Sequence, residues 1–170
     1  TAVSITGGAN TGGLVGRSDL GRITSCSVAG AVSGAQYTGG LVGYKSASII
    51  SGSSSTANVV SSAGDVGGLI GYMTGSNAVS TSFATGTVQG SVVNIGGLVG
   101  HGVTASITTS YAQGAVSTTV AAAANLGGLI GNADATPVSN SYASGNVSTS
   151  STTDALGGLV GSAGNASTIS

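Results

Sequence analysis

Charge is nearly absent from this chain of 170 residues, which holds three Lys or Arg, four Asp and no Glu. Charged residues are 4 % of it, against about 25 % in ordinary soluble domains. Arg17, Arg22 and Lys45 are the only cations and the net charge is −1. A phosphate backbone requires a basic stripe, so nucleic acid is excluded as a partner. The single cysteine, Cys26, rules out an intrachain disulfide and fits export without requiring it. Long apolar runs are missing too. The longest, Val120 to Ile130, is about eleven residues, too short to span a bilayer, so no membrane insertion is expected. No signal peptide and no initiator Met are visible. The chain begins and ends inside a repeat, which leads us to expect a mature form or an excised piece.

What the chain does have is repetition. The pentapeptide Gly-Gly-Leu-(Val/Ile)-Gly starts at Gly12, Gly39, Gly67, Gly96, Gly127 and Gly157, in steps of 27, 28, 29, 31 and 30 residues. A second signature follows each of the first five, such as Ile107-Thr-Thr-Ser-Tyr-Ala-Gln-Gly-Ala-Val116 and Val138-Ser-Asn-Ser-Tyr-Ala-Ser-Gly-Asn-Val147. The offset from the first Gly to the Ile or Val of this signature is 11, 11, 12, 11 and 11. From its closing Val to the next pentapeptide it is 7, 8, 8, 11 and 10. Length therefore varies in one connection, as in a solenoid of fixed cross-section with one adjustable loop. Hydrophobic residues are 40 % of the chain and recur in register, which separates it from a disordered Gly/Ser linker.

Glycine and β-branched residues dominate and no 3.6-residue apolar stripe appears, so strands are expected rather than helices. In the second signature Cys26, Val28, Gly30 and Val32 share one parity, as do Ser82, Ala84, Gly86 and Val88. These are read as the inward face of a thin core. The file Ser53, Ser82, Ser110 and Ser141 is expected to hydrogen-bond up and down its own ladder. Leu14 and Val15 are adjacent and cannot both face inward on a regular strand. Either that strand is covered on both faces or it bends at its glycines. The predicted fold is all-β: a right-handed parallel β-solenoid of about five and a half turns, read as a single domain over 1–170. Full repeats are 12–38, 39–66, 67–95, 96–126 and 127–156, with partial turns at 1–11 and 157–170.

The paired signatures, Gly-Gly-Leu-(Val/Ile)-Gly and Ser-Tyr-Ala-x-Gly-x-Val, resemble the GLUG motif over about Gly12 to Gly161. Repeats of this kind occur in large bacterial surface and secreted proteins, including filamentous-haemagglutinin-type adhesins. The resemblance implies a β-solenoid stalk or adhesive segment outside a cell, with no catalytic residue of its own. Repeat 2 departs from the pattern with Ala57 in place of Gly. The first two turns carry Ser27 and Ser54 where later ones have an aromatic.

No enzymatic activity is expected. Asp19, Asp65, Asp134 and Asp154 are scattered, and His101 has no repeating partner, so it is read as a solvated surface residue. No zinc spacing, Walker loop or dinucleotide fingerprint occurs, so no cofactor and no metal are expected. The outward positions carry the candidates. Tyr44, Tyr72, Phe83, Tyr111 and Tyr142 are the candidate contacts for a host-cell or matrix glycan or protein. Thr24, Ser51, Ser80, Thr108 and Ser139 form a candidate hydroxyl face, which raises the alternative of an ice-binding solenoid. Unpaired strand edges at the solenoid ends raise another, self-association into an extracellular filament.

Overall fold

A computed structural model of the chain describes residues 2–91, 93–118, 124–164 and 166–170. Of the apolar run Val120 to Ile130, residues 120–123 lie outside the described ones. The described residues form 28 short strands and no helix. Five strands make one coil. In the coil after the second pentapeptide begins they are Tyr37–Gly39, Val42–Ser46, Ile49–Ser51, Ser54–Ser55 and Asn58–Ser61. Each strand pairs in parallel with its counterpart one coil on, giving five parallel sheets of five or six strands. We number the sheets first to fifth in that order. The chain is a parallel β-solenoid of about six coils.

The register is the direct consequence of the repeat. Gly12 pairs with Gly39, Gly39 with Gly67, Gly67 with Gly96, Gly96 with Gly127 and Gly127 with Gly157. All six pentapeptides thus fall in one file. The open question of Leu and Val is settled by a corner. The first-sheet strand ends at Gly39 and the second-sheet strand starts at Val42, with a bend at Gly40-Leu41 between them. The bend breaks the two-residue alternation, so Leu41 and Val42 are both fully buried. The corner is held by its leucine carbonyls. The Leu41 oxygen accepts from the N–H of Leu14 and of Val15, both at 3.0 Å. The Leu69, Leu98, Leu129 and Leu159 oxygens each serve the coil before them in the same way. Glycine fills this corner for want of space: a Cβ on Gly97 would overlap the Gly128 carbonyl and lie 2.9 Å from the Ala112 Cβ.

Two other corners in each coil turn through a left-handed residue. After the second sheet it is Leu20, Ala47, Gly75, Thr104 or Ala135, with φ between 47° and 85°. After the third sheet it is Ser25, Gly52, Thr81, Thr109 or Asn140, with φ between 47° and 58°. Side chains with a Cβ are disfavoured there by about 1–2 kcal/mol. Replacing Thr104 with Gly should therefore stabilise the chain. Allowing for the extra freedom glycine brings to the unfolded state, the expected gain is about 0.5–1 kcal/mol. An upward shift of the urea midpoint checks it, and a downward shift contradicts it.

The core is mostly apolar, with buried polar side chains such as Thr38, Lys45 and Ser55 on its strands and Ser53, Ser82 and Ser110 at a corner. One buried cluster includes Leu41, Leu69, Leu98 and Leu129, and a second includes Val66, Val88, Ile95 and Leu126. The inward parity of the second signature holds: Ser82, Ala84, Gly86 and Val88 are all buried. The serine file works differently from the expected Ser–Ser ladder. Ser82 Oγ accepts the Ser53 N–H at 3.2 Å and donates to the Ser80 carbonyl at 2.8 Å. Ser53, Ser110 and Ser141 repeat the pattern. Each hydroxyl bonds backbone, because the corner leaves one N–H per coil without a sheet partner. Cys26 occupies the same slot in its coil, with Sγ 3.3 Å from the Thr24 oxygen.

Lys45 is fully buried in this core, which nothing in its sequence neighbourhood announces. It stacks between Ser18 and Met73. Its Nζ donates to the Asn77 carbonyl at 3.1 Å, and the Asn77 amide reaches back to the Ala47 carbonyl at 2.6 Å. Asn77 lies in the one repeat whose second signature is offset by 12 rather than 11. The Asn77 main-chain carbonyl gives the buried ammonium its oxygen. Burial lowers the Lys45 pKa from 10.5 to about 8.

Candidate functional site

All six aromatic residues of the chain lie in two outward clusters. The fourth sheet stacks Phe83 on Tyr111 and Tyr111 on Tyr142, with centroids 4.9 and 5.1 Å apart and planes within 5°. Register pairing of Phe83 with Tyr111 and of Tyr111 with Tyr142 produces this file directly. The second sheet stacks Arg17, Tyr44, Tyr72, His101 and Asn132 in successive coils. Arg17 sits 4.6 Å over the Tyr44 ring, Tyr44 and Tyr72 stack at 5.5 Å, and His101 meets Tyr72 edge-on at 5.2 Å. The five candidate contact residues are thus two groups on different sheets.

Tyr37 was not among the candidates, yet it completes the second group. It projects from the first sheet, with its ring 5.6 Å from Tyr44 and 5.0 Å from Tyr72. Contacts across the corner join the position two before the pentapeptide to the position just after it. That signal is absent from any one file of the sequence. Burial, together with Tyr44, Tyr37, Asp65 and Asp134, raises the Tyr72 pKa. Arg17 is held protonated by its hydrogen bond to Asp19 at 2.7 Å.

His101 is a correction. It is not a solvated lone residue: its side chain is only 20 % exposed, its Nδ1 lies 3.5 Å from Asp65 Oδ2, and its Nε2 lies 3.3 Å from the Asn132 amide. Asp65 in turn anchors an amide ladder on the first sheet. Asn94 Nδ2 donates to Asp65 Oδ1 at 2.7 Å and Asn125 Nδ2 donates to Asn94 Oδ1 at 2.8 Å. The next residue in the file is Ala155, which has no amide, so the ladder stops there.

The five candidate hydroxyl residues do form one straight file on the third sheet. Ser80 Oγ donates to Ser51 Oγ at 3.3 Å, and Ser51 also lies 3.4 Å from Thr81 Oγ1. Of the five, Ser51 and Ser80 are the neighbours joined to each other in this way.

A cavity of about 290 Å³ opens where the first sheet begins, lined by Val93, Ala124, Asn125, Thr153 and Ala155. This is the side on which the connection between repeats varies in length.

Of the known families, the model described as the GLUG motif matches residues 122–148. Over this stretch the chain is similar to that motif. The stretch contains the pentapeptide at Gly127 and the signature from Val138 to Val147, and its residues 122 and 123 lie outside the described ones. Register then places the strands of the matched stretch directly on the equivalent strands of the neighbouring coils. GLUG motifs occur in bacterial surface and adhesin-type repeat proteins, and motif and fold together fit a structural repeat protein. No curated protein and no solved structure matched the chain.

Proposed function

We propose that the chain is a stiff, non-catalytic segment of an exported bacterial surface protein that holds adhesive contacts away from the cell. The observation that carries this reading is the stacking of side chains in continuous outward files on a register-locked rod. Such files stiffen the stack, at about 0.5–1.5 kcal/mol per aromatic pair. Sheets paired along the rod axis leave no joint at which it bends freely.

The same geometry defines how a partner meets the rings. Tyr111 lies between Phe83 and Tyr142, so both of its faces are covered. The fourth-sheet file therefore presents ring edges and phenolic hydroxyls, and contact with a glycan or protein runs through hydrogen bonds at those edges. Changing Tyr111 and Tyr142 together to Phe keeps the rings and removes the hydroxyls. In a bead assay on host cells or immobilised matrix, adhesion should fall at least tenfold while the thermal midpoint holds. Unchanged adhesion would remove this file as a contact. Loss of adhesion only when the rings themselves are replaced by Ser, with a lowered midpoint, would assign them a purely stiffening role.

A further inference from the structure

The cavity beside the amide ladder has the makings of a binding site, and we propose that it takes one ring of a neutral glycan. Three independent features meet there. The first is its wall. Val93 has φ +76°, a left-handed backbone that a β-branched residue adopts only under strain, and it is 46 % exposed. Val93 pairs in register with Ala124, and Asn125 with Ala155, so three successive coils build the cavity. The second is a free acceptor. Asn125 spends its Nδ2 on Asn94, and Ala155 above it has no amide to give. Among the described residues no donor meets Asn125 Oδ1, and Asn125 and Thr153 both line the opening. The third is position. Repeat arrays carry insertions on one face, often the binding face, and this cavity lies at the variable connection.

The lining selects the ligand. Val93, Ala124 and Ala155 offer methyl groups to an apolar face, while Asn125 and Thr153 offer neutral polar groups to hydroxyls. Among the described residues no charged side chain lines it. The adjacent carboxylate, Asp154, is committed to the Ala124 N–H at 2.9 Å and to the Thr149 hydroxyl. An ionic ligand therefore finds no partner. A volume of about 290 Å³ is at the low end for ligand pockets, about 300–1,000 Å³, which suits one ring and not a peptide. A pyranose has the required form, with C–H faces and hydroxyls around the rim.

The inference deepens the adhesive reading but is tested apart from it. Ligand-observed saturation-transfer NMR of the whole chain with D-glucose, D-galactose, D-mannose and N-acetyl-D-glucosamine should show at least one binding at millimolar concentration. Ala155→Leu, which fills the cavity, should weaken that binding tenfold or more without moving the thermal midpoint. Thr153→Val, on an exposed loop, should weaken it severalfold. No binding by any of the four sugars, or binding untouched by both substitutions, overturns the proposal. Adhesion that persists in Ala155→Leu sinks the cavity and leaves the adhesive reading standing. Sugar binding by a chain that does not adhere does the reverse.

Discussion

Gly97→Ala should prevent folding, or cost at least about 4 kcal/mol, while Gly158→Ala should be close to silent. The two residues hold the same place in the pentapeptide. A Cβ at 97 would overlap the Gly128 carbonyl and lie 2.9 Å from the Ala112 Cβ, whereas at 158 nothing lies within 4 Å. Neither glycine has a left-handed φ, so conformational freedom is not the difference. Backbone on one side and core on the other stop Gly97 from moving. The Gly97 N–H reaches the Gly127 oxygen at 3.2 Å, and the next residue, Leu98, both donates to Leu129 and accepts from Leu69. A shift would break several of these bonds, each worth about 1 kcal/mol net and more when left buried and unmade. Circular dichroism and urea unfolding of the two variants read the contrast. Equal stability of the pair would show that the corner tolerates a side chain and that its glycines serve some other end.

Lys45→Met should stabilise the chain by about 2 kcal/mol at pH 7. The pKa of Lys45 falls from 10.5 to about 8 through burial. At 1.36 kcal/mol per unit, keeping it charged in the core costs roughly 3 kcal/mol. Losing its hydrogen bond to the Asn77 carbonyl offsets about 1 kcal/mol of the gain. Methionine fits, since Met73 fills the matching position one coil on. The pH dependence has a definite sign. Between pH 8 and 10.5 the unfolded chain holds the Lys45 proton more firmly than the folded one, so stability rises with pH across that window. Below about pH 8 both states are protonated and the full cost remains. In Lys45→Met the rise should vanish. A variant less stable than the parent at pH 7, or one that keeps the rise, would show that the ammonium is well solvated in place.

The sequence spoke most clearly wherever one file of residues carries the message. Six aligned pentapeptides, the Phe83-Tyr111-Tyr142 stack and the inward parity of the second signature all follow from like residues falling one coil apart. It was silent where contacts cross a corner. The burial of both Leu41 and Val42 depends on a bend in the backbone, and Tyr37 reaches Tyr44 and Tyr72 from another sheet. His101 was misread for the same reason: Asp65 comes to it from the first sheet, while Tyr72 and Asn132 sit in its own file. The burial of Lys45 was silent too, because its partner is a main-chain carbonyl, that of Asn77 in the following coil.

The central claim is that equivalent residues of successive coils stand in vertical files. Nitroxide pairs at Thr24 and Ser139 measure it most directly, in a Cys26→Ser background whose serine matches the other coils. These positions are 115 residues apart in the chain and four coils apart in one file. At about 4.8 Å per coil, pulsed dipolar spectroscopy should give a narrow distribution centred near 19 Å, widened only by the label linkers. A broad distribution, or one centred beyond about 30 Å, would contradict the stack.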